Sequence, residues 1–171
     1  MPKSRVKCLR FSYYGFDLEI PMGWILSFDK KTKYESGIAS FLTPMNFRLD
    51  HLWDNLEKYQ KKNPTLESFM SAYYDSLRKN KGMKELQISS DPPTITEDHE
   101  ILSHEISYTY RAPLGRAVSR KIIGKTIFCK KTNRFIAVYT AYDTKKENPE
   151  ETALRESIAK FSCSCSHEAK L

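Results

Sequence analysis

Apolar residues recur along this chain with two distinct periods. In Phe16–Ile20 apolar and polar side chains alternate, the period of a strand that buries one face. Pro21 ends that strand, and Gly23 permits a tight turn after it. Trp24–Phe28 and Ile38–Leu42 predict two more strands, separated by the polar loop Lys30–Gly37. Between 47 and 53 two spacings compete. Phe47, Leu49, His51 and Trp53 alternate, whereas Leu49, Leu52, Trp53 and Leu56 follow a helix; the strand is preferred. Lys58–Asn63 reads as a charged connector.

The helical period is clearest after Thr65, whose hydroxyl can accept a bond from a first-turn amide. Leu66, Phe69, Met70, Tyr73 and Leu77 then form one apolar stripe. Asp75 and Lys79 are spaced as an i,i+4 pair, and Gly82 suits the stop. Strands return at Leu86–Ser89, Ile101–Arg111 and Ala117–Cys129, with a turn at 112–115. Phe135–Tyr142 is apolar on both faces, which predicts a place in the middle of a sheet. A last helix is signalled by Asn148 as cap, Pro149 at the first helical position and Glu151 three residues after the cap. Leu154, Ile158 and Phe161 make its buried stripe; Glu151–Arg155 and Glu156–Lys160 are spaced as pairs on its wet side.

Consecutive strands joined by short turns imply an antiparallel sheet, and two helices with single stripes need faces to cover. The expected fold is α+β, an antiparallel sheet sandwiched by helices. Residues 1–15 read as an N-terminal extension, 16–161 as a single domain and 162–171 as a flexible tail.

Composition adds limits. At 171 residues, 40% hydrophobic and 29% charged, the chain has the make-up of an ordinary globular domain. Its apolar runs are far shorter than the ~20 residues of a membrane-spanning helix. Residues 1–15 lack the apolar stretch of a secretory signal, so a cytoplasmic location is expected. On the same ground Cys8, Cys129, Cys163 and Cys165 are expected as thiols rather than disulfides.

Charge is segregated. From Ile106 to Tyr142 there is no acidic residue, yet eight basic ones occur: Arg111, Arg116, Arg120, Lys121, Lys125, Lys130, Lys131 and Arg134. They supply the net charge of +7, because the remaining basic and acidic residues nearly cancel. A localised positive field attracts anionic partners. The candidate binding residues are therefore Tyr108, Tyr110, Arg111, Arg116, Arg120, Lys121 and Lys125, with aromatic rings beside cations. The competing reading is a solvated sheet edge protected by its charges.

Other chemistry has little to stand on. Cys163-x-Cys165-x-His167 groups soft ligands, but the distant second pair of a structural zinc site is missing and C-x-C is tighter than the usual spacing. His99 and His104 lie five apart on one strand and so face opposite ways; His104 falls on the apolar side as a core residue. Cys8 and Cys129 have no base nearby in sequence. Walker, dinucleotide, Gly-x-Ser-x-Gly and His-Glu-x-x-His motifs are absent. No metal, cofactor or catalytic residue is expected.

The segment Asp17-Leu18-Glu19-Ile20-Pro21-Met22-Gly23-Trp24, the helix start Thr65-Leu66-Glu67, the strand series ending near Tyr142 and the last helix ending in Phe161 together resemble one superfamily. It groups the photosystem subunit PsbP, the Ran-binding factor Mog, the DcrB-like proteins and the Eag-type chaperones of type VI secretion. The resemblance spans about Phe16–Phe161, and Pro21, Gly23 and Trp24 are its structural motif. It implies an antiparallel sheet between helices, no shared catalytic residues, and binding of other proteins. With nineteen Tyr and Phe residues and two Trp, the expected function is a protein-binding adaptor or small chaperone using the sheet face and the basic turn. The alternative is an anionic ligand or nucleic acid along 106–134.

Overall fold

The computed structural model describes residues 8–13, 16–111, 115–145 and 148–165. In chain order the elements are β1 (Cys8–Tyr13), β2 (Phe16–Pro21), β3 (Ile25–Phe28), β4 (Gly37–Leu42), β5 (Arg48–Asn55), α1 (Glu57–Gln60) and α2 (Leu66–Lys79). Then follow β6 (Met83–Ser90), β7 (Thr94–Ile95), β8 (His99–Arg111), β9 (Ala117–Cys129), β10 (Arg134–Asp143), α3 (Glu151–Lys160) and β11 (Ser162–Cys163). Among the described residues, the main sheet has the order β3-β4-β5-β10-β9-β8-β6, with β7 beside the start of β8. A smaller sheet has the order β1-β2-β11. Every pairing in both sheets is antiparallel. The fold is α+β.

β10 explains the layering. It lies between β5 and β9, and its alternate residues enter two separate cores. Ile136, Val138 and Tyr142 join Phe16, Leu18, Ile20, Trp53, Leu154 and Phe161 in the first. Phe135 joins Leu56, Leu66, Met70, Leu102, Ile106 and Phe128 in the second. Thus α3 and the small sheet cover one face of the main sheet, and α2 covers the other.

Local chemistry sets most boundaries. The ambiguous stretch resolves as the strand β5, Arg48–Asn55, because Leu49, His51 and Trp53 all turn into the first core. Thr65 caps α2: its side chain accepts from the Ser68 amide, and Ser68 answers the Thr65 amide. Asp75 pairs with Arg78 at i,i+3. Gly23 has φ +97°, a conformation that side chains disfavour, so the turn after Pro21 requires glycine. Pro21 ends β2, and Trp24 packs against the first core.

Four expectations are corrected. The connector at 58–63 contains the short helix α1, whose Tyr59 stacks on Phe135 with centroids 4.1 Å apart. The last helix begins at Glu151 rather than after Asn148; Asn148 instead accepts the Glu150 amide at 3.0 Å in a preceding turn. Lys160 pairs with Glu19 across to β2. Two described segments near the ends, 8–13 and 162–165, are also less loose than expected. Cys8–Tyr13 pairs with β2, as does β11, and Cys165 is buried.

His51 is wholly buried between Phe16, Phe41 and Phe161, and burial pulls its pKa down to about 3. The unfolded chain takes up this proton near pH 6.5. Acidification between those values therefore favours the unfolded state. Stability is expected to fall by roughly 1 kcal/mol per pH unit below pH 6 on this account. Chemical denaturation between pH 7 and 5 measures the slope, and His51→Leu should flatten it.

Candidate functional site

β8 and β9 form a long hairpin whose register sets the fate of the predicted cations. Tyr108 lies opposite Arg120, Ser107 opposite Lys121 and Ser103 opposite Lys125. Alternation then sends Tyr108, Tyr110, Arg120 and Ile122 to the α2 side, and Lys121 and Lys125 to the α3 side. The seven expected binding residues do not share a surface.

The α3-side lysines have partners inside the protein. Lys121 Nζ lies 3.0 Å from Glu105 and 3.3 Å from Glu151. Arg155 of α3 contacts the same two carboxylates, each at 2.7 Å, and the Tyr142 hydroxyl donates to Glu151. Burial pushes the Glu151 carboxyl up, but bonds from Tyr142, Arg155 and Lys121 hold it below its usual range. Lys125 Nζ donates to the Ala159 and Phe161 carbonyls at 2.6 and 2.9 Å, closing the end of α3. Burial lowers the Lys125 pKa.

The far end of the hairpin is likewise engaged. Lys130 pairs with the buried Glu100 at 3.1 Å, and Arg134 lies over the Tyr34 ring at 4.4 Å. These residues are separated from Arg116 by roughly 40 Å of strand. Arg111 and Arg116 are exposed at the turn end, and Arg120 is half-buried beside Tyr108.

The α2 side holds a feature that periodicity did not reveal. Between α2 and the sheet runs an apolar groove of about 290 Å³, lined by Phe69, Tyr73, Ile122, Phe135, Ala137 and Tyr139, with His104 and Thr126 as polar neighbours. Tyr108 and Tyr110, 6.1 Å apart, are half-buried on the same sheet face toward the turn. A second, polar groove of about 360 Å³ lies between β6, β8 and α3, where Glu105 and Arg155 are already paired. His104 borders both grooves. It is not the satisfied core residue expected: its buried Nδ1 has no hydrogen-bond partner, and burial lowers its pKa to about 4.

Folding also gathers soft ligands that are scattered in sequence. The ligand atoms of His99, Cys129, Cys163 and Cys165 all lie within 4.8 Å of one another. His99 starts β8 and Cys129 ends β9, and the hairpin register puts them opposite each other. β11 brings Cys163 to the same place, and Cys165 Sγ sits 3.2 Å from His99 Nε2. The second ligand pair missing near Cys163 and Cys165 is thus supplied in space by His99 and Cys129. His167 lies outside the described residues. A bond from the Cys163 thiol holds Cys129 well below the usual thiol range despite burial, helped by Thr132, whose hydroxyl lies 3.0 Å from Cys129 Sγ. The same bond raises Cys163, and burial raises Cys165. The register itself was the available signal, since a turn centred on 114 pairs 99 with 129.

No family model matches this chain, and no curated protein matches it in sequence. Its architecture, however, is that of the PsbP-like fold. It is similar to the solution structure of cyanobacterial PsbP (CyanoP) from Synechocystis sp. PCC 6803, with a TM-score of 0.59 and 13% identity, over 95% of this chain and 96% of that chain. At that identity the likeness establishes the fold alone.

Lys125→Met should lower stability by about 1–3 kcal/mol, since it strips two carbonyls at the end of α3 of a charged donor. Denaturant titration measures this.

Proposed function

We propose that this chain is a protein-binding module that performs no chemistry, an adaptor or small chaperone. Its binding ground is the groove beside α2 and the adjoining face of Tyr108 and Tyr110. The observation that carries the reading is the apolar, aromatic-rimmed groove itself, open between Tyr73 and Tyr139. At about 290 Å³ it is near the lower limit for small-molecule sites, and suits a few side chains of a partner. Tyrosines at its rim offer apolar area with a polar end, the composition of interface anchors. The occupant is an apolar segment of another protein, flanked by acidic residues that Arg111, Arg116 and Arg120 attract. Of the branches this chain resembles, the secretion chaperones that hold apolar segments of effectors fit such a groove best. A cytoplasmic location agrees with this reading, and among the described residues no helix is long and apolar enough to cross a membrane.

A nucleic-acid contact along 106–134 has weaker support, because Lys121, Lys125, Lys130 and Arg134 already have partners within the protein.

Peptides selected on the immobilised protein from a random display library provide the probe. They should be rich in apolar residues, and Tyr73→Ala with Tyr139→Ala should weaken them at least about tenfold, as loss of central anchors does. Charge reversal at Arg111, Arg116 and Arg120 should mainly slow association. Selected peptides indifferent to the groove substitutions would defeat the proposal. So would single-stranded nucleic acid binding in preference, with affinity falling about a thousandfold between 50 and 200 mM salt.

A further inference from the structure

We infer that His99, Cys129, Cys163 and Cys165 form a binding site for one thiophilic divalent cation, zinc by its donor set. Three thiolates and one imidazole are soft donors; they suit zinc and disfavour magnesium or calcium. A tetrahedral zinc ion, with Zn–S near 2.3 Å and Zn–N near 2.1 Å, holds its ligand atoms roughly 3.5–3.8 Å apart. Here all four atoms lie within 4.8 Å of one another, and His99 Nε2 is already 3.2 Å from Cys165 Sγ. Closing the set needs side-chain shifts on the order of 1 Å.

The surroundings favour an ion too. Cys129 is wholly buried and Cys165 nearly so, which keeps water from competing. Thr132 places its hydroxyl 3.0 Å from Cys129 Sγ, the outer-shell contact that fixes a ligand's orientation. Thr96 Oγ1 accepts the His99 amide at 3.0 Å, and the Thr96 amide donates back to the His99 carbonyl at 2.8 Å, fixing the backbone of that ligand.

A set of four protein ligands is the closed arrangement of a structural site. The ion joins the end of the β8–β9 hairpin, in the main sheet, to β11, in the small sheet. It therefore fastens the segment after α3 against the body of the fold, linking residues far apart in sequence, where cross-links restrict the unfolded chain most. This site is separate from the groove beside α2, so its failure leaves the proposed function standing.

The test uses the untagged full chain, reduced and freed of metal, titrated with Co²⁺ and then Zn²⁺. One equivalent of Co²⁺ should produce thiolate charge-transfer absorption and the intense visible bands of tetrahedral cobalt, and one equivalent of Zn²⁺ should abolish both. Zn²⁺ should raise the melting temperature. In the unaltered protein Zn²⁺ should protect Cys129, Cys163 and Cys165 from alkylation but not the exposed Cys8, as read by mass spectrometry, a measurement that needs no variant to fold. Cys163→Ser and Cys165→Ser, checked for folding by circular dichroism, should lose the tetrahedral spectrum; Cys8→Ser should keep it. The inference is overturned by a weak octahedral spectrum, by binding that does not saturate at one equivalent, by equal loss in Cys8→Ser, or by a Cys129–Cys163 disulfide in protein isolated under reducing conditions.

Discussion

The whole architecture depends on a central strand that is apolar on both faces. β10 can bury its two rows of side chains only if each face of the sheet is covered. α3 and the small sheet meet one demand, around Ile136, Val138 and Tyr142; α2 meets the other, around Phe135. Neither helix closes its side completely. On the α2 side the uncovered remainder is the groove between Tyr73 and Tyr139. The groove is in this sense a product of core geometry, left alongside Phe69 and Tyr73 where α2 does not reach across the sheet.

The same strand alternation governs charge. A run of eight cations without a carboxylate looks like one patch when read along the chain. Folded, it is divided by the pleat and by the length of the hairpin. Lys121 enters an ion network with Glu105, Glu151 and Arg155, and Lys125 closes the end of α3. Arg134 is buried over Tyr34, while Lys130 answers Glu100 from the next strand. The carboxylates that neutralise this region come from outside it in sequence, from Glu100, Glu105 and Glu151. What stays available is the turn end with Arg111 and Arg116, beside the tyrosine face.

The cysteine and histidine cluster shows a third use of register. His99 and Cys129 are thirty residues apart, yet a regular hairpin makes them direct neighbours. The chain after α3 then returns antiparallel to β2 and carries Cys163 and Cys165 to the same corner. Three segments meet where the two sheets adjoin, at the border of the first core.

Local order was legible from the residues because its causes are local. Alternation at Phe16–Ile20 and Phe135–Tyr142, the stripe Leu66–Leu77 and the Thr65 cap depend on neighbours within a few positions, and the α+β sandwich follows from them. Boundaries set by tertiary contact were not legible: α1 is stabilised by Tyr59 stacking on Phe135, and the start of α3 is displaced by the turn at Asn148. The site was legible in part. Tyr108 and Tyr110 lie on the face that alternation assigned them, but which cations remain outside and which ligands converge are questions about residues up to a hundred positions apart. Periodicity reports only which way a side chain points. Only the folded chain decides what stands opposite it, because that depends on strand order, register and the reach of the covering helices.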